Sequence, residues 1–203
     1  MRTRVQCPAI MSAVAAKRPR PARTRSKGPG VSEASKAARA AAAPVASRPQ
    51  APGYGISEDA KGLLPWTWAE ERLAKSRQYF ITTVRPDARP HTMPVWGVWM
   101  ESAFWFGTGR KTQKARNLAR NQYCTISTEA SEEAVILEGV ANEITDAAML
   151  KDALRKRAPL SKKKYGVSGG PPGQPVYRVQ PRRVFGFVEK TFPKTATRWT
   201  FES

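Results

Sequence analysis

Histidine is all but missing: the 203-residue chain has one, His91, beside two cysteines, Cys7 and Cys124, that lie far apart and form no CxxC. One imidazole and two distant thiols are too few to build a zinc site, and such sparing use of cysteine fits a reducing, cytosolic setting. There is no GxxxxGK[ST] phosphate loop, and Gly107-x-Gly109 lacks the third glycine and the downstream acid of a dinucleotide fingerprint. Paired catalytic carboxylates are also missing, because the neighbouring Glu132 and Glu133 would point to opposite faces of a strand. No helix-turn-helix, zinc finger or aromatic RNA-binding signature stands in the second part of the chain. Catalytic residues are therefore not assignable. Tyr79, Tyr165 and Tyr177 are the available proton donors, but tyrosines at strand positions ordinarily serve the core or its rim.

Acidic residues are scarce at the start. The first 52 residues hold 11 basic and one acidic side chain, so they carry +10 of the net +19. KRPRPARTRSKGPG and SEASKAARAAAAPVASRPQAPG lack the apolar periodicity that would bury a face, and no apolar run there is long enough to span a bilayer. Residues 1–52 are therefore expected to be a disordered Arg/Lys/Pro/Ala-rich tail able to touch polyanions without sequence preference. An organellar transit segment, a downstream start such as Met11 and a secretory leader are alternatives. Residues 53–203 are enough for one hydrophobic core.

That second part begins with Thr67-Trp68-Ala69-Glu70, the spacing of a capping box, which predicts a helix from about Thr67 to Arg77. YFITTVR (79–85), HTMPVWGVWM (91–100) and AFWFG (103–107) read as strands joined by short turns, an antiparallel meander. A helix over 112–120 follows, then strands over 124–128 and 134–144. Asp146 caps a further helix that Pro159 is expected to end. KKKYGVSGGPPGQP reads as a long basic loop, and PVYRVQP and RRVFGFV as two closing strands joined at Pro181-Arg182. The first three strands leave no room for crossover helices. The expected fold is mainly β (α+β), an antiparallel barrel of six to seven strands with a few short helices.

The chemistry concentrates in FGTGRKTQKARNL (106–118). A strand ends at two glycines and meets Arg110, Lys111, Lys114 and Arg116, with the hydroxyls of Thr108 and Thr112, just where a helix begins. Free amides and a helix start suit an oxyanion, and a solvated basic helix face is the competing reading.

RPHTMPVWGVW, FWFGTGRKTQKARNLARN, VILEGVANEITD, VYRVQPRRVFGF and TATRWTF, in this order and spacing, resemble the flavin-nucleotide-binding split barrels of the pyridoxamine 5′-phosphate oxidase superfamily. The likeness leans to the flavin- and deazaflavin-dependent oxidoreductase branch and covers about residues 66–201. It implies a split β-barrel with Thr108, Thr112 and Lys114 on the cofactor phosphate, and Arg110 and Lys111 as additional contacts. It sets Met93, Pro94, Val95 and Trp96 along the isoalloxazine ring. It implies a homodimer in which Arg198 and Trp199 reach a cofactor held mainly by the other subunit. The implied cofactor is FMN, with coenzyme F420 as the alternative. The implied activity is hydride transfer to or from a small molecule, in the cytoplasm. The Arg-x-His substrate signature of true pyridoxamine 5′-phosphate oxidases cannot be present with His91 alone, so vitamin B6 oxidation is not expected. A haem relative would need His91 as iron ligand, whereas a lone strand histidine is usually a packed or surface residue. The RKR and KKK runs at 155–157 and 162–164 either rim a pocket for a polyanionic cofactor tail or are solvated surface. A non-catalytic polyanion- or nucleic-acid-binding barrel and a flavin-binding sensor or storage protein are the competing functions.

Overall fold

The computed structural model describes residues 43–202. In chain order the elements are β1 (Val45–Ser47), α1 (Trp66–Lys75), β2 (Tyr79–Val84), β3 (Pro90–Val95), β4 (Gly97–Met100), β5 (Ala103–Gly107), α2 (Gln113–Leu118), β6 (Tyr123–Thr128), β7 (Glu133–Glu143), α3 (Ala147–Tyr165), β8 (Val176–Val188), α4 (Phe192–Thr195) and β9 (Thr197–Thr200). A 3-10 turn, Glu189–Thr191, leads into α4.

Alternation along the strands sets one face inward. Tyr79, Ile81 and Thr83 of β2 and Val135, Leu137 and Ala141 of β7 are buried while their neighbours are more exposed. All but Thr83 join Phe104, Phe106, Ile126, Val179, Val184 and Trp199 in one core inside the curved sheet. A second, smaller cluster of Val98, Met100, Trp105, Ile144, Ala153 and Val176 seats α3 against β4 and β5.

Nine antiparallel strands, among the described residues, run in the order β1-β9-β8-β7-β6-β2-β3, with the β4–β5 hairpin returning to β8. The fold is mainly β with a few helices, as the sequence implies. The sheet does not close, which is the split-barrel architecture. The expected six to seven strands fall short for three reasons, the first being that Thr197–Thr200 forms a strand, β9, where none was expected. Val45–Ser47, inside the expected tail, pairs with β9 from Val45↔Thr200 to Ser47↔Arg198, so the folded part starts before residue 53. The expected strand 91–100 is broken at Trp96, because Pro90–Val95 pairs with β2 while Gly97–Met100 turns away to pair with β5. The rest of the expected tail, 1–42, lies outside the described residues.

The opposite error occurs at Pro181. The two expected closing strands are one 13-residue strand, β8. Its register with β7 shifts between Glu138 and Gly139, leaving Arg182 as an extra residue next to Pro181. A bulge is where a ladder tolerates a proline and where a strand bends. Here the bend lets the first half of β8 pair with β5 and the second half with β9. Gly139 is required at this corner: a Cβ there would sit 2.4 Å from the Gln180 carbonyl oxygen.

Pro159 does not end α3. The helix runs 19 residues, to Tyr165, and closes on Gly166 in the left-handed conformation (φ 80). An interior proline removes one helical hydrogen bond, and packing on both sides of it offsets the loss: Ala153 and Arg157 before it, Ser161 after it, are buried. The capping box at Thr67 is not formed either. α1 starts one residue earlier, behind Pro65, with no side-chain cap.

Candidate functional site

Where β3 breaks into β4, a cavity of about 390 Å³ opens. Pro94, Val95 and Trp96 form one wall, Gly107 and Thr108 at the end of β5 another, and Lys114 of α2 lies beside them. Arg157, Ser161 and Tyr165 of α3 face them, and the loop through Gly169, Gly170 and Pro171 completes the rim. Three separate segments singled out in the sequence thus meet in one place.

The turn is held from inside. Thr108 Oγ1 lies 3.2 Å from Thr112 Oγ1, and the Thr108 amide donates to the Pro175 carbonyl at 3.2 Å. Thr112 caps α2 by accepting from the Ala115 amide at 3.4 Å. Below it, the buried Asn117 donates to Thr83 Oγ1 at 2.9 Å and accepts from Gln113 at 2.7 Å, which fixes α2 on β2. α2 has only six residues, and its own cap takes up one of its free amides. The oxyanion reading therefore passes from the helix start to the side chains. Partial burial lowers the pKa of Lys114, and no carboxylate opposes that shift. A lysine so placed is short of a counter-charge.

Not every expected contact arrives. Arg110 forms an ion pair with Glu143 at 2.8 Å, which raises its pKa further, and Lys111 is exposed; neither lines the cavity. Met93 is 41% exposed on β3, paired opposite Ile81, and also lies outside the lining. Trp199 is fully buried, its ring 5.6 Å from Trp66 and 6.4 Å from Trp68, so it packs in the core of its own subunit. Arg198 donates from Nε to Ser47 at 3.1 Å on the β1–β9 ladder.

α3 contributes a stripe that joins the basic run 155–157 and Tyr165, both named from the sequence, to Ser161, which was not. Arg157, Ser161 and Tyr165 recur every four residues, one stripe of a helix. That signal was in the sequence, but taking Pro159 as a stop hid it. Tyr165 stacks on Trp96 with ring centroids 4.8 Å apart and planes at 10°. Its hydroxyl donates to the Gly97 carbonyl at 2.8 Å and accepts from the Gly97 amide at 3.0 Å. Burial raises its pKa, and both functions of the hydroxyl are committed to the strand break, so Tyr165 clamps the corner. Tyr79 is likewise committed. Its hydroxyl donates to the Leu73 carbonyl and accepts from Lys164 at 2.8 Å, and burial raises its pKa strongly.

The order of strands and the unclosed sheet define a split barrel. Residues 68–187 match the family described as pyridoxamine 5′-phosphate oxidase, and the chain belongs to that family. Among solved structures, a conserved hypothetical protein, Rv2991, from Mycobacterium tuberculosis is similar at 20% identity and a TM-score of 0.55, over 66% of this chain and 91% of that one. An FAD-binding protein, mll6688, from Mesorhizobium loti matches at 13% identity and a TM-score of 0.51, over 68% and 96%. The Agrobacterium tumefaciens protein Atu2129 matches at 20% identity and a TM-score of 0.48 over 60% of this chain; the match spans about half of that longer protein, 55%. No curated protein matches the chain. Among the described residues, no helix is long and apolar enough to cross a membrane.

Proposed function

We propose that the protein binds a flavin nucleotide at this corner, FMN first and coenzyme F420 as the alternative, and works as an oxidoreductase on a small molecule. The observation that carries the reading is that Lys114 and Thr108, the latter paired with Thr112, line one cavity together with Pro94, Val95 and Trp96. The residues fit the group. The cavity falls within the usual range for small ligands, roughly 300–1,000 Å³. Lys114 supplies a cation without a carboxylate partner among the described residues. The threonine hydroxyls supply neutral donors, and the wall supplies apolar surface for a ring.

A bound flavin supplies the hydride chemistry itself. This chain's residues bind and orient: Lys114 holds the phosphate by a charge-assisted hydrogen bond, while Trp96, fixed by its stack on Tyr165, borders the ring. No proton donor is assigned to a residue. A second subunit belongs to the same reading. β3 is a sheet edge, Phe80 and Trp96 beside it are exposed, and a partner covering them would deepen the cavity. A cytoplasmic location is part of the proposal, in keeping with the free, buried thiol of Cys124.

The test is a titration of the full-length chain with FMN and with F420, followed by absorption and fluorescence. The expected outcome is saturable binding of one of them, weakened more than tenfold by Lys114→Ala, since such a bond contributes about 1.5–3 kcal/mol. If neither cofactor binds, the reading is wrong. Binding of nucleic acid with a steep salt dependence would then favour the polyanion-binding alternative.

A further inference from the structure

α3 carries a cation that the turn does not explain. Arg157 is only 8% exposed, and its Nε has no hydrogen-bond partner among the described residues. Burial lowers its pKa, and no carboxylate raises it. Burying an unpaired guanidinium costs stability, and buried polar atoms left without partners are rare enough to need a reason. The position of the side chain suggests one. Its Nη1 lies 3.4 Å from the point that a Cβ on residue 107 would occupy, so the guanidinium rests against the glycine that leads into Thr108. It lines the same cavity as Thr108 and Lys114, with Ser161 one turn further along the helix. Arg110, which lies in the turn itself, is already paired with Glu143.

We infer that Arg157 is the second cation of an anion site shared with Lys114, and that the site is charge-matched to a phosphate monoester. The inference rests on the flavin-nucleotide reading and sharpens it. A monoester carries about −1.5 to −2 at pH 7, so one lysine leaves roughly half of that charge uncompensated, while lysine and arginine together balance it. The guanidinium fork also offers parallel N–H groups to two phosphate oxygens, which a lysine cannot do. A phosphodiester, as in the tail of F420, carries a single negative charge. At the phosphate itself, two cations therefore match FMN better than the diester of F420.

Arg157→Met in the full-length chain separates this role from a structural one. Without ligand, the variant is expected to melt about 2 °C or more above wild type, because an unpaired buried charge is gone. Its affinity for FMN is expected to fall at least tenfold while its affinity for riboflavin, which lacks the phosphate, stays within twofold. Arg157→Lys is a second variant in case the first folds poorly, and inorganic phosphate is a probe independent of flavin. At constant ionic strength, phosphate should raise the melting temperature of wild type more than that of Arg157→Lys. An unchanged preference for FMN over riboflavin in Arg157→Met overturns the inference and leaves the flavin reading standing. So does a lower melting temperature with equal loss of FMN and riboflavin, which would make Arg157 structural. If wild type binds neither flavin, the cofactor reading falls and the phosphate comparison alone decides on Arg157.

Discussion

Trp199 offers the sharpest separation between what the family resemblance implies and what the structure shows. The resemblance sets it against a cofactor; the structure buries it completely among Trp66, Trp68 and the backbone of Gly186. A Cβ on residue 186 would stand 2.7 Å from the Trp199 ring, so the indole is seated directly on that strand. Removing a buried tryptophan side chain costs about 3–5 kcal/mol. For a domain of this size each kcal/mol moves the melting temperature by about 2–4 °C. Trp199→Ala should therefore lower it by roughly 6–20 °C, a large part of the stability of an ordinary domain. Trp199→Phe is expected to cost much less. It keeps most of the apolar contact and removes an indole Nε1–H that has no partner among the described residues, a defect worth about 1–3 kcal/mol. The assay is thermal unfolding followed by circular dichroism, paired with a flavin titration well below the transition. Trp199→Phe should bind flavin within twofold of wild type. A Phe variant that melts like wild type yet binds flavin tenfold more weakly would refute the core assignment.

Two further expectations follow from the same packing. Lys164, half-buried against the rings of Tyr79 and Tyr165, has its pKa lowered by burial to about 8. The unfolded chain then binds more protons than the folded one between about pH 8 and 10.4, so this group makes stability rise with pH across that window. Burial raises the Cys124 thiol to about 12, which acts in the opposite direction above about pH 8.5, so the comparison must be with Lys164→Met. That variant should melt higher than wild type at pH 7, with the gap narrowing by pH 9.5; a constant gap would count against it. Gly139→Ala should cost about 3 kcal/mol in chemical denaturation, the upper end for overpacking, because the group it meets is backbone and cannot rotate away. A cost under 1 kcal/mol would mean that the bulge can relax.

The parts of the fold that were legible in the sequence are those set by local pattern. β2, β6 and β7 follow from alternation and β-branched content and β5 from its aromatic run, and Thr112 and Asp146 do cap their helices. The illegible parts are decisions made by partners distant in the chain. Whether 91–100 is one strand or two depends on β2 and β5 competing for it. Whether Pro181 ends a strand or bends it depends on β7 opposite. Pro159 misled for the same reason, since packing of α3 on β4 outweighs one missing hydrogen bond. The site divides in the same way. Thr108, Thr112, Lys114 and Pro94-Val95-Trp96 could be named from motifs. Arg157 stood in the basic run 155–157 and Tyr165 among the tyrosines, but Ser161 and the stripe that joins the three emerge only once α3 continues through the proline.

The break at Trp96 and the cavity have a single cause. A sheet of this curvature would close if β3 and β4 were one strand pairing on both sides; the chain turns away after Val95, and the opening it leaves is the site. The break exposes the Gly97 peptide, and the Tyr165 hydroxyl takes both its amide and its carbonyl. The group that repairs the strand break thus comes from the same helical stripe as the buried arginine, eight residues earlier. A helix ended at Pro159 would keep Arg157 but leave the Gly97 peptide without the Tyr165 hydroxyl. The continuation of α3 past its proline is therefore the feature that brings Ser161 and the Tyr165 clamp to the cavity that Arg157 lines.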